Sequence, residues 1–161
     1  MTAPHIVWLR RDLRLADQPA LYAAAQEGPV ICVYVLDDEG AGNRAMGGAS
    51  RWWLHHSLQA MDRELGKHQG KLILRRGNAA DEIARLAEET GAAAVHAIRH
   101  YEPWWRKAQG RLADRLDLKL YDGNYLLPPG TVTTGSGDPY KIYTPFAKSA
   151  RQCLPQREVL D

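Results

Sequence analysis

Residues 6–21 read IVWLRRDLRLADQPAL, and how they are read decides the fold. Ile6, Val7, Trp8 and Leu9 form an apolar run of the length of a buried strand. Arg10, Arg11, Asp12, Arg14 and Asp17 follow within eight positions, and Asp17 and Pro19 then carry helix-start signals, an N-cap and a first-turn proline. A strand that passes through a short turn into a helix is the opening unit of an α/β domain. Nucleotide-binding versions of that unit place glycines in the turn, so that bare backbone approaches a phosphate. Here no glycine occurs before Gly28, and the turn presents arginines and aspartates instead.

The same alternation continues along the chain. Further strand-like runs fall at 30–36, 71–75, 93–98 and 118–121, after the first at 5–9. The second, VICVYVL, is apolar throughout and rich in β-branched residues, as in a strand covered on both faces. Between them lie four helical segments. The first ends at Gly28; the second has Ser50 as its cap and aligns Leu54, Leu58, Met61 and Leu65 on one face. The third runs from the cap Asn78 to the stop Gly91, with Ile83, Leu86 and Ala87 facing inward. The fourth starts at Glu102 and Pro103 and aligns Trp105, Ala108, Leu112 and Leu116. This regularity predicts a Rossmann-like α/β domain: an open five-stranded parallel sheet of order 3-2-1-4-5, right-handed crossovers and helices on both faces. The α/β unit is expected over 1–125. Residues 126–161, rich in Gly, Pro, Ser and Thr before a helical stretch at 145–154, are expected to form an interdomain linker and the start of a docking helix. The Gly-rich TGSGDP at 134–139 reads as a turn, since no strand-to-helix transition frames it.

Composition narrows the function classes. The net charge of +2 is too small to mark a freestanding nucleic-acid-binding domain. The two cysteines, Cys32 and Cys153, have no C-x-x-C partner, no Cys/His spacing resembles a zinc site, and isolated thiols fit a reducing cytoplasm. The start MTAPHIVWLRRD lacks the pattern of a signal peptide, and no apolar segment is long enough to span a bilayer. His55 and His56 sit roughly 100° apart on a helix and read as surface histidines rather than metal ligands. Trp52 with Trp53, and Trp104 with Trp105, each predict one core and one edge residue. No Ser-His-Asp or Cys-His arrangement is defensible from spacing.

In a doubly wound sheet, ligands bind beyond the strand C-termini where the strand order reverses, here between the first and fourth strands. That topology would bring Arg10, Arg11 and Asp12 towards Arg99, His100, Tyr101 and Glu102, flanked by Leu36, Asp37 and Asp38. The functional reading is a pocket for a planar, partly polar ligand. The structural alternative pairs Asp12 with Arg14, or Arg10 with Asp17, and braces the turn without any ligand.

The motifs carry a resemblance. VWLRRDLRLADQPAL, ASRWWLHHSLQAMDRELGKHQGKLIL, IRHYEPWWRK and LLPPGTVTTGSGDPYKIYTPF resemble, in order, four N-terminal landmarks of the DNA photolyase and cryptochrome family, most like bacterial cyclobutane-dimer photolyases. The resemblance implies a Rossmann-like domain that holds or borders a light-harvesting antenna: methenyltetrahydrofolate, an 8-hydroxy-5-deazaflavin or another flavin. It implies a following helical domain, absent from these residues, that carries FAD and the damaged-DNA pocket. The isolated chain is therefore expected to be inert on DNA, with no catalytic residue of its own. Glu102 corresponds to an acidic contact to the pterin in folate-binding members, with Arg99 and Tyr101 in the adjoining loop. Arg10, Arg11, Asp12, Leu36, Asp37 and Asp38 lie in the loops used by deazaflavin-binding members. Tyr140, Tyr143 and Phe146 are expected to face the missing domain. The alternatives are a cryptochrome photoreceptor domain and, from another class, a nucleotide-binding domain of universal-stress or electron-transfer-flavoprotein type, against which the absence of a phosphate loop argues.

Overall fold

The computed structural model describes residues 2–154 and Leu160. Five strands, β1 (His5–Leu9), β2 (Val30–Leu36), β3 (Leu72–Arg76), β4 (Ala94–Ile98) and β5 (Leu118–Tyr121), form one sheet of order β3-β2-β1-β4-β5. Every pairing is parallel, and His5 registers with Val30 on one side and Ala94 on the other. The helices are α1 (Pro19–Glu27), α2 (Gly48–Lys67), α3 (Ala79–Thr90), α4 (Pro103–Ala113) and α5 (Tyr143–Gln152). The expected sheet order is the observed one.

Strand alternation splits the core in two. Ile6, Trp8, Val33 and Val35 point to one face and pack under α3 and α4, against Ile83, Leu86 and Leu112. Val7, Leu9, Cys32 and Tyr34 point to the other and meet Ala24, Met61 and Leu65 of α1 and α2. β1 is buried along its whole length because it lies mid-sheet with helices on both sides. Trp8 is fully buried, edge-on to Trp105 at a centroid distance of 5.8 Å.

Several helix ends depart from expectation, two of them through side-chain partners outside the helix. Asp17 has φ 50° and does not cap α1; Gln18 does, accepting from the Ala20 amide at 2.9 Å. The Gln18 amide also donates to Asp12 Oδ2 at 2.6 Å, so the longer side chain serves the helix end and a buried carboxylate together. Ser50 lies inside the first turn of α2 rather than capping it. The helix starts at Gly48, where Arg51 donates to the Met46 carbonyl and pairs with Asp38 at 2.6 Å. α4 stops at Ala113, so Leu116 joins the same core from beyond the helix end. β3 runs one residue later than 71–75, and α5 begins at Tyr143. Asn78 caps α3 and Gly91 ends it at φ 64°. A side chain at Gly91 meets no neighbour, so Gly91→Ala should lose about 1–2 kcal/mol of unfolding free energy through left-handed backbone strain alone. Urea denaturation checks this; an unchanged midpoint would mean that the turn relaxes.

Among the described residues, no helix is long and apolar enough to cross a membrane. Residues 134–139 form a tight turn closed by the Thr133–Pro139 bridge and the Thr134 amide on the Asp138 carbonyl, as read from TGSGDP. Of the segment 126–161, residues 155–159 and Asp161 lie outside the described residues.

Candidate functional site

The strand order reverses between β1 and β4, where a crevice is expected, and the chain fills it with its own side chains. Arg10 leaves β1 buried and donates through Nη2 to the Ile98 carbonyl at the end of β4. Its guanidinium carbon lies 4.2 Å from the Trp8 ring centroid and 5.4 Å from that of Trp105. Nε and Nη1 of Arg10, Nε1 of Trp8 and Trp105, and Oε2 of Glu102 have no hydrogen-bond partner among the described residues. Burial drives the Arg10 pKa down to about 10, with Asp12 and Glu102 opposing the shift.

Asp12 is the carboxylate beneath this turn. Its Oδ1 accepts from the Arg10 amide at 3.0 Å and lies 3.6 Å from His100 Nε2, while Oδ2 accepts from Gln18. Burial favours the protonated acid. The His100 contact, the Arg10 amide and the Arg10 charge outweigh it and hold the carboxyl below its ordinary range. Neither anticipated ion pair forms. Arg14 instead donates to the Asp17 and Gly123 carbonyls, and Asp12 accepts from the Arg10 backbone amide across the turn. The turn is braced, but by partners brought in from β4 and α1.

The open space is shifted to the β1–β2 side. A cavity of about 960 Å³ extends over the ends of these strands, within the range of small-molecule sites. Arg10, Arg11, Leu36, Asp37 and Asp38 line it, together with Tyr34, Trp53 and Trp104. Asp37 organises the floor: Oδ1 accepts from the Glu39 and Gly40 amides and Oδ2 from the Ala79 amide. Asp38 is held by Arg51 and Arg76. Arg11 pairs with Glu102 Oε1 at 2.5 Å, and Arg44 on the rim makes no ion pair among the described residues.

The predicted residues therefore separate into groups. Asp12 is buried behind the turn and does not line this cavity. Arg99 and Tyr101 lie near β5, where Arg99 is 3.6 Å from Asp122 and Tyr101 packs edge-on to Tyr125. Glu102 joins the two groups through Arg11 and through His100 Nδ1 at 3.7 Å. Sequence reasoning missed the α2 wall. Trp52 and Trp53 are both exposed, at 63% and 70%, rather than one in the core, and Trp53 stands over the cavity. The signal was the adjacent tryptophan pair at the second turn of a helix whose apolar face begins only at Leu54. Trp105 packs on the core and Trp104 on the cavity rim, as their spacing implied.

At the far end, Tyr143 and Phe146 are exposed on α5, which has no buried residue, and Tyr140 is half-buried edge-on to Phe146. Ile142 and Leu126 are exposed as well.

Residues 5–160 match the family model described as DNA photolyase. The chain is 44% identical over 151 residues to a deoxyribodipyrimidine photo-lyase of Agrobacterium fabrum, covering 90% of this chain and 31% of that protein. It is 35% identical over 149 residues to cryptochrome-1 of Arabidopsis thaliana, covering 88% of this chain and 22% of that protein. Among solved structures, a bacterial class III photolyase from Agrobacterium tumefaciens superposes with a TM-score of 0.83 at 41% identity, covering 94% of this chain and 32% of its own. The chain thus spans about a third of the length of these photolyase relatives.

Proposed function

The chain belongs to the DNA photolyase family, and from that premise we propose that it is the light-harvesting domain of a deoxyribodipyrimidine photolyase, its β1–β2 cavity holding a flat heteroaromatic antenna. The observation that carries this reading is the cavity itself. It is large enough for a two- or three-ring chromophore and lined by the aromatic side chains Tyr34, Trp53 and Trp104. Arg11 and Arg44 offer donors to ring carbonyls or to an anionic tail, and backbone and carboxylate groups near Leu36, Asp37 and Asp38 offer acceptors to ring N–H groups. The position favours the loops associated with deazaflavin or flavin over the Arg99–Tyr101 side associated with the pterin. Glu102, through Arg11, would be a positioning residue on the deazaflavin or flavin reading and a direct contact on the pterin reading. Absorbed energy would pass to FAD in a helical domain outside this chain, and that domain would bind damaged DNA and split the dimer. Residues 126–161 would then be the linker and docking helix, with Tyr140, Tyr143 and Phe146 against the helical domain.

The test mixes the chain separately with 8-hydroxy-5-deazaflavin, flavin mononucleotide and methenyltetrahydrofolate and follows absorbance and fluorescence quenching. One of the three should bind, and Trp53→Ala should weaken it roughly tenfold through loss of a stacking face, while Trp52→Ala, outside the cavity, leaves it unchanged. Failure of all three to bind, or indifference to Trp53→Ala, overturns the assignment. Cryptochrome relatives share the same domain, and repair of a dimer by a protein that carries this chain separates a lyase from a photoreceptor.

A further inference from the structure

At the opposite end of the sheet from the cavity, three side chains far apart in sequence converge. His5 opens β1, His96 lies on β4 and Glu27 ends α1. His5 Nδ1 is 3.0 Å from His96 Nε2 and 3.5 Å from Glu27 Oε2, and His96 Nε2 is 3.9 Å from that same oxygen. We propose that these three groups form a zinc-binding site that clasps the start of β1 to β4 and to the end of α1.

The spacing supports this. Ligand atoms about 2.0–2.2 Å from a tetrahedral zinc stand roughly 3.3–3.5 Å from one another. The three observed separations bracket that edge length, so a small spreading of the ligand atoms and a turn of the two imidazoles towards a common point complete a face of the tetrahedron, leaving the fourth vertex to water. Two imidazoles with one carboxylate are borderline donors of the kind that holds zinc, whereas magnesium and calcium take oxygen ligands.

A second observation concerns the tautomer. His96 Nδ1 lies 2.9 Å from the Tyr121 hydroxyl, and the two rings stack at an interplanar angle of 8°. With Nδ1–H donated to that oxygen, the Nε2 lone pair of His96 points at His5 Nδ1. This is the outer hydrogen bond that orients zinc-ligating histidines. A metal would replace the one hydrogen shared by His5 and His96. Both histidines are buried, while Glu27 is 38% exposed at the side-chain level and gives the ion its way in.

A competitor is present. Lys119 Nζ donates to Glu27 Oε2 at 2.7 Å and already neutralises the carboxylate. It must swing aside for a dication, and Asp117 Oδ2, 4.0 Å away, is ready to receive it. The ammonium therefore sets the affinity: it weakens the site without forming part of it. No spacing rule reveals this cluster, because its members are separated in sequence and only the parallel pairing of β1 with β4 brings them together.

The test titrates the tag-free chain with zinc chloride by calorimetry and repeats the titration with cobalt(II), whose visible absorption reports tetrahedral nitrogen and oxygen ligation. One equivalent should bind; magnesium should not compete. Glu27→Ala, on the surface and safe for folding, should weaken zinc at least about tenfold, and His96→Gln should abolish the cobalt band. Lys119→Met should tighten binding. Replacing His55 and His56 together should change nothing. No stoichiometric zinc binding by the unaltered chain, binding indifferent to Glu27→Ala, or binding lost with His55 and His56 would each overturn the proposal.

Discussion

Asp12→Ala should remove about 3–5 kcal/mol of stability, the cost expected when two buried donors lose their acceptor and a nearby countercharge goes with it. For a chain of this length the melting temperature should fall by roughly 10 °C or more. Three groups lose their partner together: the Arg10 amide and Gln18 Nε2 their acceptor, and His100 its carboxylate neighbour. The buried Arg10 guanidinium also loses one of two nearby negative charges, with Glu102 remaining. Since Gln18 also caps α1, its release loosens the first helix. Asp12→Asn should lie between. One asparagine oxygen still accepts from the turn, but its NH₂ faces the Gln18 NH₂. Turning the Gln18 amide over would relieve that clash only by taking Oε1 away from the Ala20 amide. Guanidinium denaturation of the three proteins checks the order. A loss below about 1 kcal/mol for Asp12→Ala would show that the carboxylate braces nothing.

The same residue predicts an acid limb. The folded pKa of Asp12 lies below its unfolded value of about 3.9. Its contribution is complete above that value and is lost as pH falls through the lower, folded pKa. Stability of the unaltered chain should therefore decline below about pH 4, and Asp12→Asn should flatten that decline. Equal slopes in both proteins would place the acid sensitivity elsewhere.

The features legible in sequence were those governed by local pattern. The bounds of β1, β2 and β5 coincide with apolar runs that end in charge or turn residues, and Asn78 and Gly91 delimit α3 through chemistry within one turn. Positions set by partners from elsewhere were not legible. Asp17 is a better cap than glutamine by type, yet Gln18 caps α1 because Asp12 holds its amide. Ser50 gives way to an Arg51 clamp whose acceptors are Met46 and Asp38. The candidate site divides in the same way. Charges after β1, β2 and β4 do gather at one edge of the sheet, as topology requires, but Arg10 plugs the reversal point and moves the opening towards β2. Nothing in RRD distinguishes an arginine that points to solvent from one packed against both Trp8 and Trp105, since the second ring lies far along the chain.

That aromatic pair gives the second large effect. Trp8→Ala should cost about 3–5 kcal/mol, because the indole is fully buried on the α3–α4 side of the core and its removal leaves a large void. Trp8→Phe should cost far less, under about 1.5 kcal/mol. Phenylalanine keeps a ring edge for Trp105 and a face for the Arg10 guanidinium. It also deletes the indole Nε1–H, a buried donor with no partner among the described residues, whose desolvation the folded chain otherwise bears at about 1–3 kcal/mol. That relief offsets much of the volume lost. Far-UV circular dichroism in urea measures both variants without relying on the indole fluorescence that each mutation removes. If Trp8→Phe proved as damaging as Trp8→Ala, the Nε1–H would have to hold a partner such as a buried water. The core under the charged turn would then be a polar network, and Arg10 would owe its position to that network rather than to aromatic contact.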